Sequence, residues 1–566
     1  MKRFLTLLAL SLLACCCNKP DNSKDEPKEA EVVLSTNSFI FPSSGGSAEL
    51  AIKSNVDIKV QSDADWCSVD QQASTSTTVR KYKVTAAANS LPDPRSASIK
   101  VEAASWKGAI TVDQEAADGL KVSASIPDIF PADGGDFSVD VAANGEYSIT
   151  SSCDWIAQET TRAMSSDRLT FHVYPNHSRD EREGTVTFTL NELEESVAVR
   201  QEGMELTSEM RSALEICSDM YVGWNLGNTL EATGGETSWG EPKTTREIIR
   251  WVKSFGYNAI RVPCAWDSHA TDGVIDAAWM ARVREVIDYI VDEGMYAILN
   301  CHWDGGWLEN HIADGYSETI NEKQKKYWTQ IAETFREYPD LLLFAGCNEP
   351  NVTNGDAACM ATLLKYEQTF VDAVRSTGGN NSERCLVIQG PNTDFDNTLS
   401  LMNELPTDTA DGKLFVECHF YGPWNLCGME KDESWGKVSW YWSSKYHVAG
   451  SDRNCTWGEE DYFTPLFAKM KAKFPDKGIP MILGEYGAIL RDKSTPGIDF
   501  DRHESSLAYW NEFVNRTAKD SGMVPFYWDC GAGSGMNVLV RRSMTVRSQK
   551  ILDGIMKGAS EGKYPW

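Results

Sequence analysis

Positive charge is scarce in this chain. Its 566 residues carry 54 Lys and Arg against 82 Asp and Glu, a formal net charge of -28. That balance disfavours nucleic acid and suits an uncharged ligand held at an acidic, soluble surface. Metal-ligand spacing is missing too: the 15 Cys and 8 His contain no C-x-x-C and no H-x-x-x-H, so neither a zinc site nor another cofactor is expected. A serine nucleophile elbow, G-x-S-x-G, is wanting; Gly531-Ala532-Gly533-Ser534-Gly535 has its serine one position out of register. The apolar run Phe4 to Leu13 is too short to span a bilayer.

Tryptophan is plentiful, 19 in all, and its flat faces stack on sugar rings as well as filling cores. The length exceeds a single core and calls for several domains. Lys2, Arg3, the apolar run and Ala14 form an export signal over residues 1–14. Leu12-Leu13-Ala14-Cys15 resembles a bacterial lipobox, which implies cleavage before Cys15 and a lipid on its sulfur; the alternative is an ordinary signal peptide. Residues 15–31 are polar, with Pro20 and Pro27, the composition of a disordered tether. The expectation is a monomer of the cell envelope, facing outward and joined to the outer membrane by that lipid alone. Cys264, Cys301, Cys347, Cys385, Cys418 and Cys530 fall in or beside apolar strand candidates, where small thiols pack well. Cys427 and Cys455 share one long loop and are candidates to pair.

Residues 32–203 contain an internal duplication. Gly45-Gly46 recurs at Gly134-Gly135 and Asp65-Trp66 at Asp154-Trp155, an offset of 89; Asn89, Arg95 and Gln114 recur at Asn176, Arg182 and Gln201, an offset of 87. Two modules follow, 32–116 and 117–203. Short alternating runs such as Ala48 to Ile52, Tyr82 to Thr85, Ser98 to Val101 and Ala109 to Val112, separated by turn residues, predict an all-β, immunoglobulin-like sandwich for each. The glycine pair, the Trp, the Asn and the closing Val-x-Gln resemble the BACON domain, a module often found ahead of carbohydrate-active enzymes. That resemblance implies glycan binding, whereas a tryptophan kept in both copies reads more readily as core, and the modules as spacers.

From residue 204 the texture changes to strands alternating with helices. Apolar runs at Tyr221 to Asn225, Ala259 to Pro263, Ala297 to His302, Leu341 to Gly346, Leu386 to Gln389, Leu414 to His419, Met481 to Gly484 and Pro525 to Trp528 read as parallel strands buried on both faces. Thr244 with Glu247 predicts a capping box ahead of the helix carrying Ile248, Ile249 and Val252. Eight such units over residues 204–566 predict a (β/α)8 TIM barrel and, with the sandwiches, a multidomain chain.

In a barrel the C-terminal strand ends converge on one face. Asn348-Glu349-Pro350 ends the fourth run, and Glu485 ends the seventh, 136 positions later. Two carboxyls so placed fit glycosidic bond cleavage, which needs one to protonate the leaving oxygen and another to attack or stabilise the anomeric carbon. Gly223-Trp224-Asn225-Leu226-Gly227-Asn228-Thr229, Arg261-Val262-Pro263, Asn348-Glu349-Pro350, His419-Phe420-Tyr421 and Gly484-Glu485-Tyr486-Gly487, in this order, resemble glycoside hydrolase family 5, the cellulase-type family. The resemblance implies Glu349 as acid/base and Glu485 as nucleophile. It further implies Arg261 and Tyr421 as partners of Glu485, Asn348 on the sugar 2-hydroxyl, His302 and His419 between sugar and carboxylates, and Trp528 as a stacking floor. His302-Trp303 departs from the two histidines of many relatives.

The stretch Pro423 to Tyr462 far exceeds the roughly 2 to 6 residues of a common β/α connection. It holds Trp424, Trp435, Trp440, Tyr441, Trp442, Tyr446 and Trp457, expected either to wall the cleft with substrate subsites, Trp424 among them, or to pack on themselves. Trp303 and Trp307 divide evenly between core packing and stacking, and Trp307 is carried as a substrate contact. The partner implied is a β-glucan. A retaining endo-β-1,4-glucanase acting on cellulose-type or mixed-linkage glucan is the first reading, xyloglucan the second and mannan the third. A glycan-binding lipoprotein without catalysis would have replaced Glu349 or Glu485, and both are present.

Overall fold

Alternation along Gly46–Ser54 buries Leu50 and Ile52 and leaves Glu49 and Lys53 exposed, and strands of this kind build both N-terminal modules. The computed structural model describes residues 29–159, 168–204, 210–352, 356–531, 533 and 535–566; the export signal, Cys15, most of the tether, Ala532 and Ser534 lie outside them. In the first module one sheet runs Val32–Leu34, Gly46–Ser54, Val79–Ala86, Cys67–Gln72, and the other Ser38–Phe41, Trp106–Gln114, Arg95–Ala103, Lys59–Ser62. The second repeats the plan, with Ile156–Gln158, Arg168–Val173, Gly135–Ala143 and Leu120–Ser125 against Ser148–Ser151, Arg182–Leu190 and Leu193–Gln201.

The repeated residues form one clamp made twice. Arg95 Nε donates to Gln114 Oε1 at 2.8 Å and its guanidinium lies 4.4 Å over the Trp66 ring. Arg182 repeats this on Gln201 at 2.8 Å and over Trp155 at 4.4 Å. Asn89 and Asn176 each donate to two backbone carbonyls of their own module. The repeated glycine has a steric cause, since a Cβ on Gly45 would lie 2.4 Å from the Ala86 carbonyl oxygen and one on Gly134 2.0 Å from that of Val173. Both tryptophans therefore have one face covered by an arginine, and Trp155 is only 9% exposed.

Eight strands close a parallel barrel in chain order: β1 (Gly223–Asn225), β2 (Ala259–Val262), β3 (Tyr296–Asn300), β4 (Leu342–Ala345), β5 (Leu386–Gln389), β6 (Leu414–Phe420), β7 (Met481–Tyr486) and β8 (Met523–Tyr527). Each coincides with an expected apolar run to within two residues at either end, because a strand buried on both faces admits little else. One local reading needs correction. The helix Arg246–Ser254 is capped by Thr245, whose side chain accepts from Ile248 N, and not by Thr244. Thr244 is held outside the helix, its N–H on Glu236 and its carbonyl on Arg282. Cys427 and Cys455 are both buried and carry separate thiols. Among the described residues no helix is long and apolar enough to cross a membrane.

The second module is joined to the barrel through charges. His177 Nε2 lies 2.8 Å from Asp292 Oδ1, whose other oxygen accepts from Arg246 Nη1 at 2.7 Å; the Arg246 guanidinium lies 3.6 Å over the Tyr174 ring. Arg179 pairs with Glu337 at 3.2 Å. The Asp292 side chain is 2% exposed, and burial pushes neighbouring Asp288 up to about 6. Removing residues 32–203 opens Asp292 to water while Arg246 stays paired with it, and an exposed ion pair contributes little, so the thermal midpoint of the barrel's own transition, read by calorimetry, should fall only slightly; a large drop would show that the module stabilises the barrel through this contact.

Candidate active site

Arg261, next to the last residue of β2, organises the strand-end face. It is fully buried, and such a charge is tolerated only when paired and hydrogen-bonded. Nη1 donates to Glu485 Oε1 at 2.9 Å and to Asn225 Oδ1 at 3.1 Å, Nη2 donates to Asn348 Oδ1 at 2.7 Å, and Nε forms an ion pair with Glu417 Oε1 at 2.9 Å. One guanidinium thus ties together β1, β2, β6, β7 and the residues after β4. With its oxygen taken, Asn348 keeps its amide N–H groups for a ligand.

Glu485 is placed by an irregularity. Cys418 pairs with Leu483 but His419 pairs with Glu485, so Gly484 is the extra residue of a bulge, a device that re-aims a side chain. Glu485 then accepts from Arg261 and, on Oε2, from Tyr421 Oη at 2.8 Å. Glu349, just beyond β4, lies opposite. Its side chain is 46% exposed against 6% for Glu485, and its Oε1 is 2.7 Å from His419 Nδ1. An oxygen of each of the two glutamates and a ring nitrogen of His419 all lie within 4.8 Å of one another. Retaining glycosidases hold their carboxyls about 5–5.5 Å apart and inverting ones about 6.5–9.5 Å, with a water between. The approach of one oxygen of each carboxyl is in keeping with the former.

The surroundings shift the two carboxyls in opposite directions. Burial raises Glu485 despite the opposing charges of His419 and Arg261. Glu349 is lowered, because the hydrogen bond and charge of His419 outweigh burial. Burial, then the charges of Arg261 and His419, hold His302 well below the ordinary histidine range. It is a neutral ring whose Nδ1 accepts from Asn300 Nδ2 at 3.2 Å, leaving its proton on Nε2. It stacks on Trp528, the rings 6.0 Å apart and 3° from parallel. Burial and the charge of Glu485 raise Tyr421, which stays a phenol.

Glu349, His419, Tyr421, Trp424, Trp457 and Tyr462 are among the residues lining an open cleft of about 400 Å³. The long loop divides its aromatics. Trp442 is fully buried, donating Nε1 to Gly458 O at 2.7 Å, and Trp440 and Tyr441 are buried; Trp424, Trp435 and Trp457 remain exposed. The loop thus packs some of its aromatics on itself and lines the cleft with Trp424 and Trp457. Trp303 is 46% exposed. Trp307 is half-buried, edge-on to Tyr327 and 5.3 Å from Lys323 Nζ, away from that cleft.

Glu417, Glu309, Gln389 and Asn225 are absent from the strand-end reading. Glu417 sits at the middle of β6, fully buried, and a charged residue within the run LFVECHF was the available signal. Glu309 Oε1 accepts the backbone N–H of Asn348 at 2.8 Å and of Glu349 at 2.9 Å, and burial pushes it up to about 7. It fixes the peptide that carries the acid from a loop where nothing in the sequence marks it. Among the described residues two groups bring three metal-type donors together, Glu349 with His419 and Glu485, and Asp136 with Glu159 and His172. The first has the Arg261 cation against it, which repels a metal ion; the second lies on the module surface.

Comparison with known proteins follows the same division. The profile described as cellulase (glycosyl hydrolase family 5) matches residues 225–534, and that of the BACON domain, described as a putative N-terminal binding domain, matches residues 56–115 and 145–202. Endoglucanase A of Paenibacillus barcinonensis is 35% identical over 381 residues, 62% of this chain and 92% of that one. A xyloglucan-specific endo-beta-1,4-glucanase of Bacteroides ovatus is 32% identical over 438 residues, 71% of this chain and 84% of that one. Among solved structures, a xyloglucan-specific beta-1,4-glucanase from a ruminal metagenomic library superposes with a TM-score of 0.58 at 37% identity, over 63% of this chain and 98% of that one. The family profile covers more than half of the chain and contains both glutamates, and the chain belongs to the cellulases of glycosyl hydrolase family 5.

Proposed function

We propose that the chain is a retaining endo-β-1,4-glucanase, with Glu349 as acid/base and Glu485 as nucleophile. The observation that carries this is the approach of one oxygen of each carboxyl to within 4.8 Å across the ends of β4 and β7, beside an open cleft lined by Glu349. Glu485 attacks the anomeric carbon while Glu349 protonates the leaving oxygen; a water activated by Glu349 then releases the glycosyl-enzyme. Asn348 takes the 2-hydroxyl, His302, with Nδ1 on Asn300, offers its Nε2 proton to the sugar, His419 ties Glu349 to Glu417 in place of the sugar bridge expected of it, and Trp528 is the floor. Trp424 and Trp457 extend the cleft for further sugar units.

Linear cellulose-type or mixed-linkage glucan is the first substrate. Xyloglucan is the second reading, favoured by two relatives named for it and by the openness of the cleft around Trp424, Trp457 and Tyr462, which leaves room for branches. The test is a reducing-sugar assay of the chain on carboxymethylcellulose, barley glucan, xyloglucan and glucomannan, with proton NMR of the first product. Release of the β-anomer from a glucan is expected; initial α-anomer, or no activity on any glucan, would sink the reading. We also propose domain boundaries at about 116 and 203, and a lipid on Cys15 holding the enzyme at the outer membrane, where export signal and tether support it.

A further inference from the structure

Both ring nitrogens of His419 face carboxylates. Nδ1 lies 2.7 Å from Glu349 Oε1 and 3.6 Å from Glu485 Oε2, and Nε2 lies 3.3 Å from Glu417 Oε1. A neutral imidazole has one N–H and one bare lone pair. In a neutral ring that lone pair would be set against a carboxylate oxygen, whereas the imidazolium donates at both ends.

Glu417 is built to stay charged. It accepts from Gln389 Nε2 at 2.7 Å besides its contacts with Arg261 and His419. Burial opposes its charge, but Arg261, His419 and Gln389 together hold the carboxyl below the usual range. The backbone reserves its place, since a Cβ on Gly484 would lie 1.9 Å from Glu417 Oε1.

We propose that Glu417 is a positioning residue that fixes His419 as an imidazolium, so that Arg261 and His419 balance two of the three carboxyls and one proton remains to be exchanged between Glu349 and Glu485. This deepens the glycosidase reading and rests on it. The charged and titratable groups facing His419 are Glu349 after β4, Glu485 on β7, Glu417 on its own strand, Arg261 on β2, and His302 and Glu309 after β3. Burial alone would lower His419; the charge of Glu485 and the bonds to Glu349 and Glu417 push it up to about 10.

Removing a buried negative charge lowers the pKa of every neighbour, by roughly 1 to 3 units within 4–6 Å. Glu417→Gln should therefore move both limbs of the kcat/KM profile to lower pH by about one unit or more. A residue that only supported the fold would lower the rate and leave the limbs in place. The direct readout is nitrogen NMR of the full chain labelled in histidine, with the His419 signals assigned by their loss in His419→Asn. Both nitrogens should stay protonated well past the ordinary histidine value of about 6.5, and Glu417→Gln should bring the titration down. A ring that is neutral at neutral pH in the unsubstituted chain overturns the proposal, as do unmoved limbs in a folded Glu417→Gln. If that variant does not fold, the unsubstituted spectrum decides alone. Absence of glucan hydrolysis would instead strike the glycosidase reading and leave the NMR result standing.

Discussion

Glu485→Gln is expected to slow hydrolysis of any β-glucan by roughly 10⁴-fold or more, about 5.5 kcal/mol of transition-state stabilisation at 1.36 kcal/mol per decade. The amide keeps the shape of the carboxyl: its oxygen, in the place of Oε1, still accepts from Arg261, and its NH2, in the place of Oε2, can donate to the Tyr421 hydroxyl, the two positions held at 2.9 and 2.8 Å. What it loses is the electron pair that forms the glycosyl-enzyme. Because Arg261 retains its ion pair with Glu417, the guanidinium is not left buried alone, and the fold should survive. The check is a rate assay beside a circular dichroism melt, with a fluorinated glucoside used to trap the covalent intermediate on the Glu485 peptide in the unsubstituted chain. A folded variant within about tenfold of full activity, or a trapped sugar elsewhere, would take the nucleophile's role from Glu485.

Glu349→Gln should cost polysaccharide turnover roughly 10²- to 10⁴-fold, the usual worth of a positioned general acid. On an aryl glucoside with an acidic leaving group the loss should be far smaller for the first step, since that oxygen departs without a proton. Equal losses on both substrates would contradict the assignment. The pH profile supplies a second check. Glu349 is held low by His419 while Glu485 is raised by burial, the reverse of what the acid and the nucleophile need. Sugar binding corrects this, because it dries the half-exposed Glu349 and changes little around Glu485, already buried. Loss of water raises a carboxyl pKa. The alkaline limb marks loss of the acid's proton, so it should lie at higher pH in kcat, which reports the occupied site, than in kcat/KM, which reports the free enzyme.

Both predictions start from residues that were legible before any coordinates, and the reason is topological. Parallel strands covered on both faces leave long apolar runs such as Leu342–Ala345 and Met481–Tyr486, and the barrel gathers whatever polar residues follow them. Glu349, Glu485, Arg261 and His419 could be found by that rule alone. Glu417 escapes it by lying at the middle of β6, and Glu309 by lying in the connection after β3. The joint between module and barrel was not legible for another reason: His177 and Asp292 are 115 positions apart, and neither belongs to a pattern that announces its partner. The repeated Trp, Arg and Gln of the modules announced themselves through duplication, and the guanidinium over each ring explains why they recur together.

The empty space at Gly484 links two positions 67 residues apart. With Glu417 Oε1 filling the volume that a side chain at 484 would need, neither can drift alone: a larger residue at 484 evicts the carboxylate, and a smaller one at 417 opens a hole beside the bulge. Glu417 and Gly484 are thus sterically coupled. In descendants of this enzyme a change at one should be followed by a compensating change at the other, or be purged.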